Sequence, residues 1–375
     1  MLSSISTPLN SSLLVATPIP TALYHQQYLR FFRGGAVTRS RRLLRPLVAA
    51  AMGFAAYLLV TRVAGCGNLA SAMLSASPLL IAAAIGVRLA VPYLHSLELY
   101  LAARAIGLGI RQRYSYKVVC ASLGTEYVVP IGGFGELVKI YGVVRGGAPL
   151  RHALVAVLLQ RLAASLAVAS LGIAAALLLR LGGAIALLVA ASWGVVAVNA
   201  ALLAGVGGER SWRGLARLSE RFAPRWLREL VERGGQAPRL SPVWVGVLVA
   251  VAVLERIAII ASGYLTAASI GLLIPLPLAV LLFDTLYSIV WVLPMVTPGQ
   301  LGILETLQLM LMKLSGIGGA ASAALPLLSR VVVTVAEAPQ YLLFFSVELY
   351  SAVKLIEAEG YEGLLKALRS PVVAS

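Results

Sequence analysis

The chain's 375 residues carry a net charge of +16, yet only 12% of them are charged and 59% are hydrophobic, with a mean hydropathy of +0.89. This excludes an ordinary soluble domain. The basic residues sit between apolar runs, so their placement excludes nucleic acid as the reason for the charge. Two cysteines, Cys66 and Cys120, stand in no metal or redox spacing and imply no disulfide framework.

Residues 1–42 read as a basic, poorly ordered arm, rich in Ser, Thr and Pro over its first 36 residues. It has an apolar patch too short to span a bilayer and no clear cleavage site. A hydrocarbon core of about 30 Å takes roughly 20 apolar residues as helix. Runs of that kind lie at about 43–61, 78–103, 152–179, 183–206, 242–268 and 320–349. Two more apolar stretches, 116–147 and 277–314, are each broken mid-way by Pro and Gly: Pro130, Gly132, Gly133 and Gly135 in the first, Pro298, Gly299 and Gly302 in the second. Broken backbone in lipid must find partners inside the protein, which predicts re-entrant hairpins or broken helices. Between the fourth and fifth runs, residues 207–241 combine arginines at helical spacing (Arg210, Arg213, Arg217, Arg221) with Trp212, Leu215, Leu218 and Phe222. That pattern fits an amphipathic segment on the inner leaflet, or equally a solvated basic loop. The tail 351–375 follows. Basic residues crowd the arm, the connection around Arg104–Lys117, the 207–241 loop and the tail, against Arg62, Arg180 and Lys313 opposite. The positive-inside rule places both termini in the cytoplasm of a cell-membrane protein.

The two broken stretches are copies. Gly133 precedes Glu136 by three positions and Gly302 precedes Glu305 by three; Arg161 follows Glu136 by 25 and Arg330 follows Glu305 by 25. Each half, about 43–179 and 183–350, reads as helix, helix, broken hairpin, helix. Three full crossings per half force the second copy to insert upside down, which is an inverted-repeat layout of transporters. The expected fold is therefore an all-α polytopic bundle of about six spanning helices plus two re-entrant hairpins.

At membrane depth lie Arg88, Arg161, Arg256 and Arg330 with Glu126, Glu136, Glu255, Asp284, Glu305 and Glu337. Each costs about 2.5 to 3.5 kcal/mol if it faces lipid at the bilayer centre, so they should face a cavity or one another. Helix starts after Gly-rich breaks aim free N–H groups at such a cavity, and a guanidinium beside them suits a phosphate. Arg161 and Arg330 are the candidates for that contact. Glu136 and Glu305 would hold a cationic headgroup, a coupling proton or cation, or those arginines. Arg88, Glu126, Glu255, Arg256, Asp284 and Glu337 would support the cavity. Metal and nucleophile chemistry find no constellation: Asp284 is the lone aspartate, and His25, His95 and His152 read as isolated. No cofactor and no enzymatic activity are expected.

The segments "PIGGFGELVKIY", "LLQRLAASL", "VTPGQLGILETLQLM" and "LPLLSRVVVTVAEAP" together resemble the lysylphosphatidylglycerol synthase transmembrane family of flippase-like membrane proteins, over about residues 43–350. The resemblance implies movement of a lipid with a modified or glycosylated headgroup between leaflets. Some members carry a fused soluble synthase domain, for which the segments here leave no room. Where members usually have an arginine after the first Gly-Glu, this chain has Lys139, a phosphate partner without the bidentate fork. Gln300 stands in place of a second glycine. The resulting expectation is a lipid translocase whose headgroup site comprises Glu136, Lys139, Arg161, Glu305 and Arg330. Its partners would be anionic or lipid-linked membrane lipids and a lipid-modifying or glycosyltransferase enzyme. The alternative is a non-transporting accessory protein of lipid-linked glycosylation or lipid modification.

Overall fold

The computed structural model describes residues 69–128, 134–179, 183–222, 236–287 and 302–369, together with 54, 55, 57–59 and 62. The structure is 86% helical, with no strand among the described residues. The elements are α1 (Leu69–Leu74), α2 (Pro78–Leu89), α3 (Val91–Ala105), α4 (Gln112–Val128), α5 (Phe134–Arg145), α6 (Leu150–Leu179) and α7 (Gly183–Gly207). They continue as α8 (Glu209–Phe222), α9 (Pro242–Ser269), α10 (Leu276–Val280), a π-helical turn (Leu281–Thr285), α11 (Ile303–Leu314) and α12 (Ala320–Arg369). Five are long and apolar enough to cross a membrane: α2–α3 taken together, α6, α7, α9 and the first 27 residues of α12. They coincide with five of the six spans expected from the sequence, and the protein is a multi-pass membrane protein. The sixth expected span, 43–61, lies largely outside the described residues, as do the arm 1–42 and the breaks Pro130, Gly132, Gly133, Pro298 and Gly299. Beyond residue 350, where a tail was expected, α12 continues as helix to Arg369.

Both broken stretches fold back on themselves. In the first, Tyr114 donates its hydroxyl to Gly142 O (2.7 Å) and Ser122 to Gly135 O (2.7 Å), so α4 and α5 run antiparallel. The 12 residues of α5 rise only about 18 Å, short of the roughly 30 Å core, so the hairpin re-enters rather than spans. In the second, the Gln308 amide donates to Leu282 O (3.0 Å), and Leu286 packs with Leu304 nearer the tip. The partner carbonyl there belongs to the π turn, whose widened ladder leaves such groups available. The π turn also presses the Phe283 ring onto Gly263, where an added Cβ would come within 2.2 Å of the ring.

The inverted repeat is visible in how α2–α3 meets α9. The N–H of Ser77 donates to Ser269 O (2.7 Å), the Ser262 hydroxyl to Ala84 O (2.9 Å), and the N–H of Ser241 to Ala105 O (2.8 Å). Ser241 stands 164 positions after Ser77, and Ser269 stands 164 after Ala105. The two Ser-Pro starts therefore each bond to the end of the other's helix, the reciprocal pattern a twofold axis produces. Both helices stop at an Ile-Gly pair whose glycine turns left-handed, Gly107 at φ +79° and Gly271 at φ +71°, a conformation that costs other residues more than glycine. The two antiparallel helices are thus equivalent elements of opposite direction. The cores on their flanks join Leu101–Ile106 to Ala156, Leu159 and Leu248, and Ile260 to Leu278, Leu282 and Met312.

At the end of α7 the chain turns sharply into α8 around Arg151. This arginine is fully buried, donates to the Val206 and Gly207 carbonyls and to Glu209 (2.8 Å), and lies over the Trp212 ring. Its hydrogen bond holds the exposed Glu209 carboxyl below the usual carboxylate range, with the Ala237 N–H assisting. Arg213 on the same helix is exposed, whereas Trp212 is buried; the side chains of Leu215, Leu218 and Phe222 lie outside the described residues.

Candidate functional site

Each hairpin places its carboxylate third in the helix that follows the glycine break: Glu136 in α5 and Glu305 in α11. Glu305 is 1% exposed and uses both oxygens. Oε2 accepts from the Gly302 N–H (2.6 Å), so the side chain caps its own helix, and Gly302 takes φ +87° to aim that N–H. Oε1 accepts from Arg330 Nε on α12 (2.7 Å). Glu136 is held differently. Its Oε1 accepts from Lys139 Nζ (3.2 Å), Arg161 Nη1 lies 3.8 Å away, and Oε2 has no hydrogen-bond partner among the described residues. The Arg161 side chain is 36% exposed, against 17% for Arg330.

These sets line two neighbouring cavities rather than one shared chamber. The larger, about 210 Å³, is walled by α2, α3, α4, α5, α6, α7, α9 and α12 and carries Glu126, Glu136, Lys139, Arg161, Glu255, Arg256 and Glu337. The smaller, about 40 Å³, carries Glu305, Gln308 and Arg330. Arg88, Ile259 and Tyr287 face both, so the partition between them is thin. Arg88 bonds Glu337, which also accepts from the Tyr341 hydroxyl (3.2 Å). Gly135 lies against Glu126, where an added Cβ would fall 2.3 Å from its Oε1, so this glycine is what leaves room for the Glu126 carboxyl.

His95 is not the isolated residue its sequence neighbourhood suggests. Its Nδ1 lies 3.2 Å from Glu255 Oε1 and 3.8 Å from Glu98 Oε2, and its Nε2 lies 3.2 Å from Lys139 Nζ. Glu255 in turn meets Arg256 (2.7 Å), which reaches Asp284 in the π turn (3.5 Å). Lys139 is thereby engaged on both sides and 3% exposed. The polar atoms of His95, Glu98 and Glu255 fall within 4.8 Å of one another, a ligand-type grouping that sequence spacing hid because Glu255 is 160 positions from His95. Glu98 went unremarked as well, although its i, i+3 relation to His95 on one helix was a readable signal. Gln160, next to Arg161, fixes the His95 backbone by donating to its carbonyl (2.9 Å).

Residues 43–336 match the family described as the lysylphosphatidylglycerol synthase transmembrane region. The chain belongs to this family. The matched span takes in both hairpins, both glutamates and both paired arginines. Comparison with curated proteins finds no match.

Proposed function

We propose that this membrane domain is a lipid translocase: it moves a phosphate-bearing lipid, either a phospholipid or a polyprenyl-phosphate carrier, between the leaflets of the cell membrane. Both termini would face the cytoplasm, and the protein would perform no bond chemistry of its own. A lipid-modifying enzyme or glycosyltransferase would supply or consume the lipid. The observation that carries this reading is the unequal state of two equivalent sites. In one, Glu305 and Arg330 close on each other at 2.7 Å beside a cavity of about 40 Å³. In the other, Arg161 stands 3.8 Å from Glu136 and faces a cavity of about 210 Å³.

A guanidinium held loosely by one carboxylate can exchange that partner for a phosphodiester without leaving a bare charge in a dry site. Arg161 is therefore the headgroup contact in this conformation, with Lys139 adding positive potential from behind Glu136. In an inverted repeat the two halves can trade states, so a conformation with Arg330 open and Arg161 closed would face the opposite leaflet. Alternation then needs no new contacts, only exchange of the two existing ones.

The test is leaflet-resolved exchange in proteoliposomes, using fluorescent phosphatidylglycerol and a fluorescent polyprenyl phosphate as separate probes. Wild-type protein should accelerate exchange of at least one probe, and Arg161→Ala and Arg330→Ala should each abolish it. If neither probe moves faster than in protein-free vesicles, and the substitutions alter only assembly with a partner enzyme, the accessory-protein reading replaces this one.

A further inference from the structure

The larger cavity is lined by four acids, Glu126, Glu136, Glu255 and Glu337, and four basic side chains, Arg88, Lys139, Arg161 and Arg256. Immediately behind this balanced lining sit two more acids, Glu98 at 0% exposure and Asp284 at 1%. Among the described residues, neither Glu98 oxygen has a hydrogen-bond partner, and neither Asp284 oxygen has one. Arg256 is the cation nearest Asp284, and it lies closer to Glu255. Six acids against four basic side chains leave two carboxylates in excess in a dry interior, with Asp284 sharing Arg256 with Glu255, so the cluster must hold either protons or a bound cation.

The histidine decides between them. Lys139 carries an ammonium, which can only donate, so its 3.2 Å contact makes His95 Nε2 an acceptor. The ring proton is then on Nδ1, directed at Glu255 (3.2 Å) with Glu98 beside it (3.8 Å). A metal ion bound at Nδ1 would need that proton gone and Nε2 protonated against the ammonium. Proton transfer avoids that clash, because the lysine's own proton is the one that moves to Nε2.

We infer that His95, Glu98 and Glu255 form a proton-binding site in which Glu98 stores an exchangeable proton and His95 connects it to the larger cavity. The groups that face Glu98 are Glu255 and Arg256 from α9 and Lys139 from α5. Gln112 and Ser115 of α4 contact Ser96 beside it, α6 contributes Gln160 against the His95 backbone, Arg88 of α2 faces the same cavity, and Asp284 lies beyond Arg256. The transfer balances. A proton from the Lys139 ammonium enters at Nε2 while the Nδ1 proton leaves for the Glu98 carboxylate, and the neutral amine left on Lys139 accepts a hydrogen bond from the new Nε2–H. The imidazole ends neutral as the opposite tautomer, and reversal of the same steps returns it. Because Lys139 also binds Glu136, and Glu136 faces Arg161, protonation at Glu98 changes the charge that the headgroup contact experiences. On the translocase reading, which this last step rests on, the site couples lipid movement to a proton gradient.

Two measurements test it. Infrared spectra of the purified protein, titrated between about pH 5 and 9, bracketing the ordinary histidine range, should show a buried carboxylic-acid C=O band that titrates. The band should be missing in Glu98→Gln and unchanged in Glu209→Gln. In proteoliposomes with fluorescent phosphatidylglycerol, one pH unit across the membrane should skew the leaflet distribution, by at most about tenfold for one coupled proton. That skew should collapse to equality in Glu98→Gln and persist in Glu209→Gln. Absence of a Glu98-dependent titrating band overturns the proton site, as does stoichiometric metal in wild-type protein that Glu98→Gln loses. A wild-type protein that exchanges lipid but ignores the gradient overturns the coupling. If wild type moves no lipid at all, the translocase reading fails, and the infrared titration still decides the proton site.

Discussion

Glu136 and Glu305 hold the same place in their hairpins, third in a helix after a glycine break, yet their surroundings differ. Glu305 spends one oxygen on the Gly302 N–H and the other on Arg330, and is almost fully buried. Glu136 shares one oxygen between Lys139 and a more distant Arg161, and leaves the other unpartnered. The shared Gly-x-x-Glu spacing therefore specifies the helix start but not the state of the acid, which is set by the side chains packed across from it. The second hairpin is at present a structural joint and the first an accessible site. Removing partners one at a time should make that difference measurable.

The largest effect is expected at the closed pair. Glu305→Ala removes the cap of α11 and leaves Arg330 without its carboxylate, a loss of about 3–5 kcal/mol when a buried pair is broken from one side. Thermal unfolding in detergent should show it, with Glu305→Gln milder because an amide oxygen can still accept from Gly302. The first hairpin depends instead on close packing. An added Cβ at Gly124 of α4 would sit 2.4 Å from the Tyr341 carbonyl of α12. Backbone cannot swing aside as a side chain can, so Gly124→Ala should cost about 1–3 kcal/mol by overpacking. Arg161→Ala comes next. Its pair is long and partly exposed, so stability should fall by no more than about 1 kcal/mol while lipid exchange is lost. Equal destabilisation by Arg161→Ala and Arg330→Ala would erase the distinction between an open and a closed half.

Much of this architecture was legible in the chain. The spans followed from apolar length, and the hairpins from Pro and Gly inside apolar runs, because lipid punishes both unpaired backbone and short helices. The repeat was found through Glu136–Arg161 and Glu305–Arg330. The Ser-Pro starts at 77 and 241 and the Ile-Gly ends at 106 and 270, which display the twofold relation most directly, passed unnoticed as ordinary helix punctuation. The one headgroup site expected of Glu136, Lys139, Arg161, Glu305 and Arg330 is divided between two cavities that share Arg88, Ile259 and Tyr287 in their linings, and no local pattern announces that division. His95 and Arg151 illustrate the same limit. Each gains its role from residues brought in by folding, Glu255 for the one and Glu209 with the α7 carbonyls for the other, so composition and spacing around them look unremarkable. The π turn at Leu281–Thr285 is likewise written in no residue type; it exists where Phe283 must pack on Gly263.

The corner at Arg151 provides the smallest and most local prediction, on a part of the molecule outside both cavities. Glu209 is exposed, and its carboxyl is held below the usual range chiefly by the Arg151 hydrogen bond. A carboxyl with a depressed folded value favours the folded corner above its unfolded value near 4.3, and loses that contribution as pH falls through the folded value. Acidification from about pH 5 to pH 3 should therefore lower the amide protection factors of α8, taken against the intrinsic rate at each pH, while leaving those of α6 and α9 unchanged. Glu209→Gln should give α8 at pH 5 the protection factors that wild type shows at pH 3, because the charge that responds to pH is already absent. Protection in α8 that ignores pH over this range, or that changes equally in α9, would mean that Arg151 holds the corner through the Val206 and Gly207 carbonyls and the Trp212 ring alone.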